Sequence, residues 1–513
     1  MKKLIIGLLV VVPLLLFGLV LLFLTSLDEN DIQQAAANAM GPDYSVEIGS
    51  ANVSPFSREI RMGHISVSSA SSGHLIFEAD TLILSGIGLT GLIRNRITLM
   101  VLKMENFTID WDDDLVAAGE GGKDGDSRLK KLALRNIDLI NGNIILREGG
   151  RIKTRYNEVN LTGSFDTGLI PDTGAAGNRN ASIHIGSIGF LLSGDRYRFA
   201  LNDFDYSQNT GQLSLASLKL IPVGGYDQYM ASLEYRTDMF EVEIENLTIA
   251  GIDDIAFLED NTIKAGFVDI GMFNIHVSSN LQLPKDPEKA PPGLLNEKIQ
   301  GLPYHLQLES ILVHKANVRY SEQAGDGART GTVSFNNSTV KIRDVNSRTN
   351  EPAVLVAATY LQNHSELNTE LRFSLGDGPF ALTGTGSLNP FDAKQLNSIF
   401  MDVAGIEITD GTVHELTFRL AISGNKSAGQ MHLVYEDLKL KTIDKDDYRG
   451  GLRRSIFSLL ANEVAIRSNN MPNSDGSVKE GVIEHERDTE QDSFFKFLWQ
   501  SLRSGLLDIV VRF

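Results

Sequence analysis

The sequence has no cysteine in 513 residues. That absence excludes disulfides, zinc ribbons, thiolate catalysis and cysteine-ligated iron–sulfur centres. It leaves the compartment open, because an oxidising space permits disulfides without requiring them. Positive charge is also in short supply, with 47 Lys+Arg against 65 Asp+Glu and a formal charge of −18. This speaks against a nucleic-acid partner, since phosphate contacts need a basic surface. Motifs that carry chemistry are missing too. No nucleophile elbow and no Walker A loop occur. His414-Glu415 lacks the second histidine of a zincin, and the ten histidines are scattered. Gly86-Ile87-Gly88-Leu89-Thr90-Gly91 fits a dinucleotide fingerprint only in isolation, because no alternating strand–helix series surrounds it. The expectation is a protein that is not an enzyme and uses no cofactor or metal.

Long apolar runs are confined to one place. Leu4 to Leu24 carries no charged or strongly polar side chain. As a helix it would be roughly 30 Å long, enough to cross a hydrocarbon core. Lys2 and Lys3 precede it, and Asp28, Glu29 and Asp31 follow. The lysine bias keeps the N-terminus in the cytoplasm and sends the rest across. A cleaved signal peptide would have a shorter apolar region, of about 7–15 residues. The run therefore reads as a single uncleaved membrane anchor, over 1–27.

The body that follows alternates. Ser45–Val53, Glu59–Ser68, Leu75–Leu84, Leu132–Leu146, Leu213–Leu220, Tyr229–Tyr235, Phe240–Ile249, Leu367–Leu375, Phe380–Leu388 and Ala428–Leu440 place apolar residues mostly at every second position. Period two marks strands with one apolar and one polar face. Parallel sheets covered by helices would show continuous apolar runs instead, so the sheets are expected to be mostly antiparallel.

The chain also repeats itself. Leu82-x-Leu84-x-Gly86-Ile87 returns as Leu247-x-Ile249-x-Gly251-Ile252, an offset of 165. Ile97, Leu102, Met104 and Phe107 return as Ile263, Val268, Ile270 and Phe273, an offset of 166. Leu132, Ile137, Leu139 and Gly142 return as Leu306, Ile311, Val313 and Ala316, an offset of 174. The extra eight residues fit a longer connection at 284–303, which holds five of the 14 prolines. Ile406-x-Ile408-x-x-Gly411 is a third, shorter echo. The shared order points to internal duplication and a stacked, elongated sheet. Asn141-Gly142 and Asp410-Gly411 shift the apolar parity by one residue, as a bulge or tight turn would. The short apolar segments Leu89–Ile93 and Ile255–Leu258 are expected to pack across a sheet edge or end.

Other stretches are less regular. Asp112–Ser127 reads as an exposed acidic loop, and its glycines do not fit EF-hand spacing. Phe391–Phe400 and Leu452–Ile466 have helical spacing. The organisation expected is an anchor at 1–27, a first β-repeat region at 28–235, a second copy at 236–345, a C-terminal β region with short helices at 346–467, a polar linker at 468–492 and an amphipathic helix at 493–513. The apolar stripe of that last helix, which includes Phe494, Phe497, Leu498 and Leu502, fits either docking on the sheet or contact with a membrane surface.

These features together resemble the AsmA-like family of bacterial envelope proteins. The resemblance rests on the single N-terminal anchor, on Val46-x-Ile48 … Ile60-x-Met62-x-x-Ile65-x-Val67, on Phe77-x-Ala79-x-x-Leu82-x-Leu84, and on Phe380-x-Leu382-x-Gly384-x-Gly386 … Ile406-x-Ile408-x-x-Gly411 … Tyr435-x-Asp437-Leu438. It covers nearly the whole chain after the anchor but includes no diagnostic residue set. It implies a mainly β fold: one N-terminal transmembrane helix, then an elongated, curved, mostly antiparallel taco-like sheet with an apolar groove. It also implies an inner-membrane protein with most of its chain in the periplasm, holding or conducting phospholipid acyl chains in outer-membrane biogenesis. Candidate groove residues are Leu82, Leu84, Ile97, Leu139, Ile263, Val313, Phe380 and Leu382. The expected partners are membrane lipid, the inner membrane and envelope proteins. The alternative is a non-enzymatic structural or assembly factor that holds a partner protein.

Overall fold

The computed structural model describes residues 42–511 apart from 55–57, 87–95, 113–130, 166–178, 193–194, 289, 324–329, 399–400, 402–405 and 443–465. The apolar run of 4–24, the segment Leu89–Ile93, the acidic loop after Asp112 and nearly all of Leu452–Ile466 lie outside the described residues. Among the described residues no helix is long and apolar enough to cross a membrane. The fold is mainly β, with twenty strands and few helices among those residues. Contacts divide the chain into two compact units, Met1–Ala216 and Ser217–Phe513.

Unit 1 is a ladder in sequence order: β1 (Tyr44–Ser54), β2 (Glu59–Ser69), β3 (Leu75–Ser85), β4 (Arg96–Asp112), β5 (Lys131–Glu148), β6 (Arg151–Phe165), β7 (Arg179–Leu192) and β8 (Tyr197–Ser207). From β1 to β8 the neighbouring strands pair antiparallel except β4–β5, which is parallel. Strand β9 (Gln212–Pro222) crosses the boundary between the units. In β2 the buried apolar residues are Ile60 and Met62, then Ile65 and Val67. His64, at φ 52°, turns the strand so that both pairs share one face, with the register to β1 and β3 unbroken there. That face carries one core, built around Met62, Leu84, Met104 and Phe107.

Unit 2 contains β10 (Met239–Ala250), β11 (Thr262–Asn280), β12 (His305–Gln323), β13 (Thr330–Asn346), β14 (Ala353–Leu361), β15 (Ser365–Phe373), β16 (Ala381–Leu388), β17 (Phe391–Asp392), β18 (Ile406–Ser423), β19 (Lys426–Thr442) and β20 (Gly481–Glu486). They pair in this order, with β17 continuing the track of β16 alongside β18. Again one pair, β11–β12, is parallel. Its crossover holds the proline-rich connection and helix α3 (Leu295–Gln300). Helices α1 (Gly225–Ala231), α2 (Asp254–Asp260) and α4 (Phe494–Val510) complete the unit. The second core draws on the sheet, α3 and α4.

The repeats align at the level of hydrogen-bond register. Leu82 faces Met104 and Leu84 faces Leu102 in unit 1; Leu247 faces Ile270 and Ile249 faces Val268 in unit 2. Across the parallel pairs, Ile97–Leu132 and Met104–Leu139 correspond to Ile263–Leu306 and Ile270–Val313. The expected parity shift is a bulge. The pairs Leu139–Leu161, Val313–Val340 and Ile408–Leu440 each precede a register shift. Three residues before each second partner, Glu158, Asn337 and Asp437 have φ of 53°, 52° and 53°. Gly86 and Gly251 are likewise equivalent, at φ 67° and 71°.

Three stretches differ from expectation. Tyr229–Tyr235 is not a strand: α1 ends at Ala231 after a left-handed Gly224-Gly225 turn, and it buries Tyr229 and Met230 together. Adjacent burial, with Leu233 three residues on, is helical spacing that period two disguised. Phe391–Phe400 opens with the short strand β17, and the helical spacing holds only after it, as the 3-10 turn Ala393–Leu396 followed by α-helical Asn397 and Ser398 among its described residues. The polar segment 468–492 contains β20. Particular polar side chains in it are buried and bonded to main chain: Asn470 donates to the carbonyls of Leu433 and Lys479, and Arg487 donates to those of Asp492 and Pro292.

Candidate functional site

Registers across β10–β13 build apolar rows on one face of unit 2. One row is Ile249–Val268–Ile311–Ile342, and the next is Leu247–Ile270–Val313–Val340. Beyond the bulge lie Val242–Ile275–Val318–Phe335 and then Phe240–Val277–Tyr320–Val333. The β-branched and aromatic content of these strands suits a pleated surface, and alternation gathers it on one side.

Protein covers these rows unevenly. Ile311 and Ile342 pack against the core that α3 and α4 help to fill. Towards the other end cover thins, and Phe240, Val318 and Tyr320 are 40, 36 and 39% exposed. In unit 1 the equivalent positions Leu82, Leu84, Leu102, Met104, Ile137 and Leu139 are all buried.

The sequence-derived candidates separate accordingly. Leu82, Leu84 and Leu139 belong to the core of unit 1. Ile97 pairs with Leu132 through its backbone, and its side chain lies outside the description. Ile263 is half-buried on β11, and Val313 is buried in the second row. Phe380 and Leu382 sit in the core of unit 2, where the Phe380 ring meets Phe494 of α4 edge-on at 5.6 Å. Of the two readings of the C-terminal stripe, docking describes Phe497 and Ile509, which are fully buried. Phe495 and Trp499 of the same helix remain 78 and 40% exposed.

A polar group closes the exposed end of the rows, and sequence reading did not find it. Tyr320 and Glu322, two apart on β12, share a face, and the Tyr320 hydroxyl donates to Glu322 Oε2 at 2.9 Å. Ser279 lies level with Glu322 on β11. Asp238, Arg236 and Lys496 of α4 are within electrostatic reach of Glu322, and burial pushes its carboxyl above the ordinary glutamate value. The Tyr-x-Glu pair looked like one more alternating dipeptide; only a carboxylate inside an otherwise apolar parity hinted at it.

Unit 1 carries a different concavity on its polar face. It encloses about 400 Å³ and is lined by Asn160, Thr162, Ser182, His184 and Asp205 among others. His184 Nδ1 is 2.8 Å from Asp205 Oδ1, and the Thr162 and Ser182 hydroxyls hydrogen-bond each other. Exposed pairs of this kind are ordinary on the wet side of a sheet. Among the described residues no group of His, Asp or Glu is placed to hold a metal ion. Neither a scan of protein-family models nor a search of curated proteins finds a match to this chain.

Proposed function

We propose that this chain is an anchored, non-enzymatic envelope protein of the AsmA-like kind that holds or conducts phospholipid acyl chains along the apolar face of β10–β13. Residues 4–24 would be its inner-membrane anchor, with the rest in the periplasm. The observation that carries the reading is the unequal cover of equivalent rows: of the six apolar positions buried in unit 1, the equivalents Leu247, Ile249, Ile270 and Ile311 are half-buried in unit 2, and the rows there end in exposed Phe240, Val318 and Tyr320. Such a face gains from lipid by roughly 0.8 kcal/mol per methylene buried. Phospholipid retained by the full chain after detergent purification, counted by native mass spectrometry, tests it. Val318→Asp, at an already exposed position, should remove most bound lipid without lowering the melting temperature. Unchanged lipid in that variant would remove this face from consideration.

A second reading, an assembly factor that holds a partner protein, draws on α2, where Ile255 and Phe257 are exposed. It predicts that Ile255→Asp loses a crosslinked partner while lipid content stays the same.

A further inference from the structure

We propose that the Tyr320–Glu322 end of the apolar rows is a head-group subsite, selective for an amphiphile bearing a primary ammonium. The inference rests on the acyl-chain reading above and adds what the site recognises.

Four segments converge there. β12 supplies Tyr320 and Glu322, β11 supplies Ser279, the lead into β10 supplies Arg236 and Asp238, and α4 supplies Lys496. Lys496 is already paired and Arg236 is partly engaged, with its Nε buried and without a hydrogen-bond partner among the described residues. Arg236 donates through Nη2 to the carbonyls of Leu281 and Leu283, and its main-chain N–H donates to Pro284. Lys496 Nζ lies 2.8 Å from Asp492 Oδ1. Among the described residues no cation stands within ion-pair distance of Glu322, which accepts from the Tyr320 hydroxyl. With Lys496 paired to Asp492, the half-buried Glu322 and Asp238 face the single charge of Arg236, and a ligand cation balances the excess negative charge.

The donor count then selects the head group. Glu322 in its charged form and Asp238 accept hydrogen bonds, and the Ser279 hydroxyl accepts as well as donates. A primary ammonium brings three N–H donors to such a set. A quaternary ammonium brings none and depends on several aromatic faces; Tyr320 is the one aromatic ring of the cluster. An anionic head group meets repulsion from Glu322 and Asp238. The rest of the molecule finds apolar ground, because Tyr320 continues the row Phe240–Val277–Tyr320.

The test uses the full chain in detergent, stripped of lipid and offered equal amounts of phosphatidylethanolamine, phosphatidylcholine and phosphatidylglycerol with identical acyl chains. Native mass spectrometry counts each bound species. Retention of phosphatidylethanolamine is expected to exceed that of the other two roughly tenfold, the scale of one charge-assisted hydrogen bond. Glu322→Gln, which keeps the shape and an acceptor for Tyr320, should erase most of that preference while total lipid stays constant. Asp238→Asn should lower it in the same direction. Equal retention of the three lipids overturns the subsite and leaves the acyl-chain reading intact, as does a preference that survives both substitutions. Absence of any bound lipid overturns both.

Discussion

Gly142 and Ala316 hold the same place in two copies of the bulge, and their surroundings explain the difference. A Cβ on Gly142 would collide with the Phe107 ring, which is fully buried and has nowhere to move. The equivalent ring, Phe273, is only half-buried, so the second copy accommodates a methyl group. Gly142→Ala is therefore expected to cost about 1–3 kcal/mol through overpacking, seen as a lower urea midpoint. The reverse change, Ala316→Gly, should shift it by less than about 1 kcal/mol. At the far end of unit 2, Asp508 accepts from the Val482 main-chain N–H at 2.9 Å and lies 3.0 Å from Lys479 Nζ. The Val482 N–H, helped by Lys479, holds the Asp508 carboxyl below its ordinary value of 3.8. A carboxylate lowered on folding contributes stability above its unfolded value and loses that contribution as pH falls through the folded one. Asp508→Asn should accordingly flatten the fall in melting temperature below about pH 4. Asp508→Ala should cost about 1–3 kcal/mol at neutral pH.

Among the elements, strands with one wet face were legible in the sequence because their environment has period two. Nine of the ten alternating stretches match strands, and the repeat offsets reappear as identical pairing partners in the two units. The exception, Tyr229–Tyr235, carries helical burial spacing at Tyr229, Met230 and Leu233 that the alternation of residue class masked. β20 was hidden because its neighbours Asn470 and Arg487 are buried through main-chain hydrogen bonds that residue class does not announce. Helix α4 was legible as an amphipathic stripe; its role at a sheet edge was not. Ser504 and Asp508 accept from the Glu484 and Val482 N–H groups. Gly505 lets the helix approach Ile483 and Gly481 closely. The helix thus satisfies donors of β20 that would otherwise invite another strand. Ending the chain at Asp492 should remove two fully buried large apolar side chains, Phe497 and Ile509, and so roughly 3–6 kcal/mol. Dye binding to the newly exposed core and concentration-dependent aggregation would register the loss.

For the molecule as a whole, the sequence indicated which residues are apolar and share a face, but not which of them protein would cover. Cover is set by contacts between segments far apart in the chain. Phe380 and Leu382 read the same as Val318 in a hydropathy pattern, yet α4 closes over the former pair and leaves the latter open. The same limit hid the polar end of the rows, where residues 236, 238, 279, 320, 322 and 496 meet.

The parallel pairing of β11 with β12 also bears on how the chain reaches this state. The antiparallel neighbours β10 and β11 lie close in sequence, β10 ending at Ala250 and β11 beginning at Thr262, whereas β12 must wait for the connection 281–304 to be laid down. Chain growth runs from N- to C-terminus, so one border of β11 stays unsatisfied until residue 323 has emerged. Synthesis at about 5–20 residues per second leaves that border open for a time on the order of seconds, far longer than a hairpin takes to form. The nascent chain consequently passes through a sticky intermediate, and a holding chaperone would act on it in that interval, before the second unit is complete.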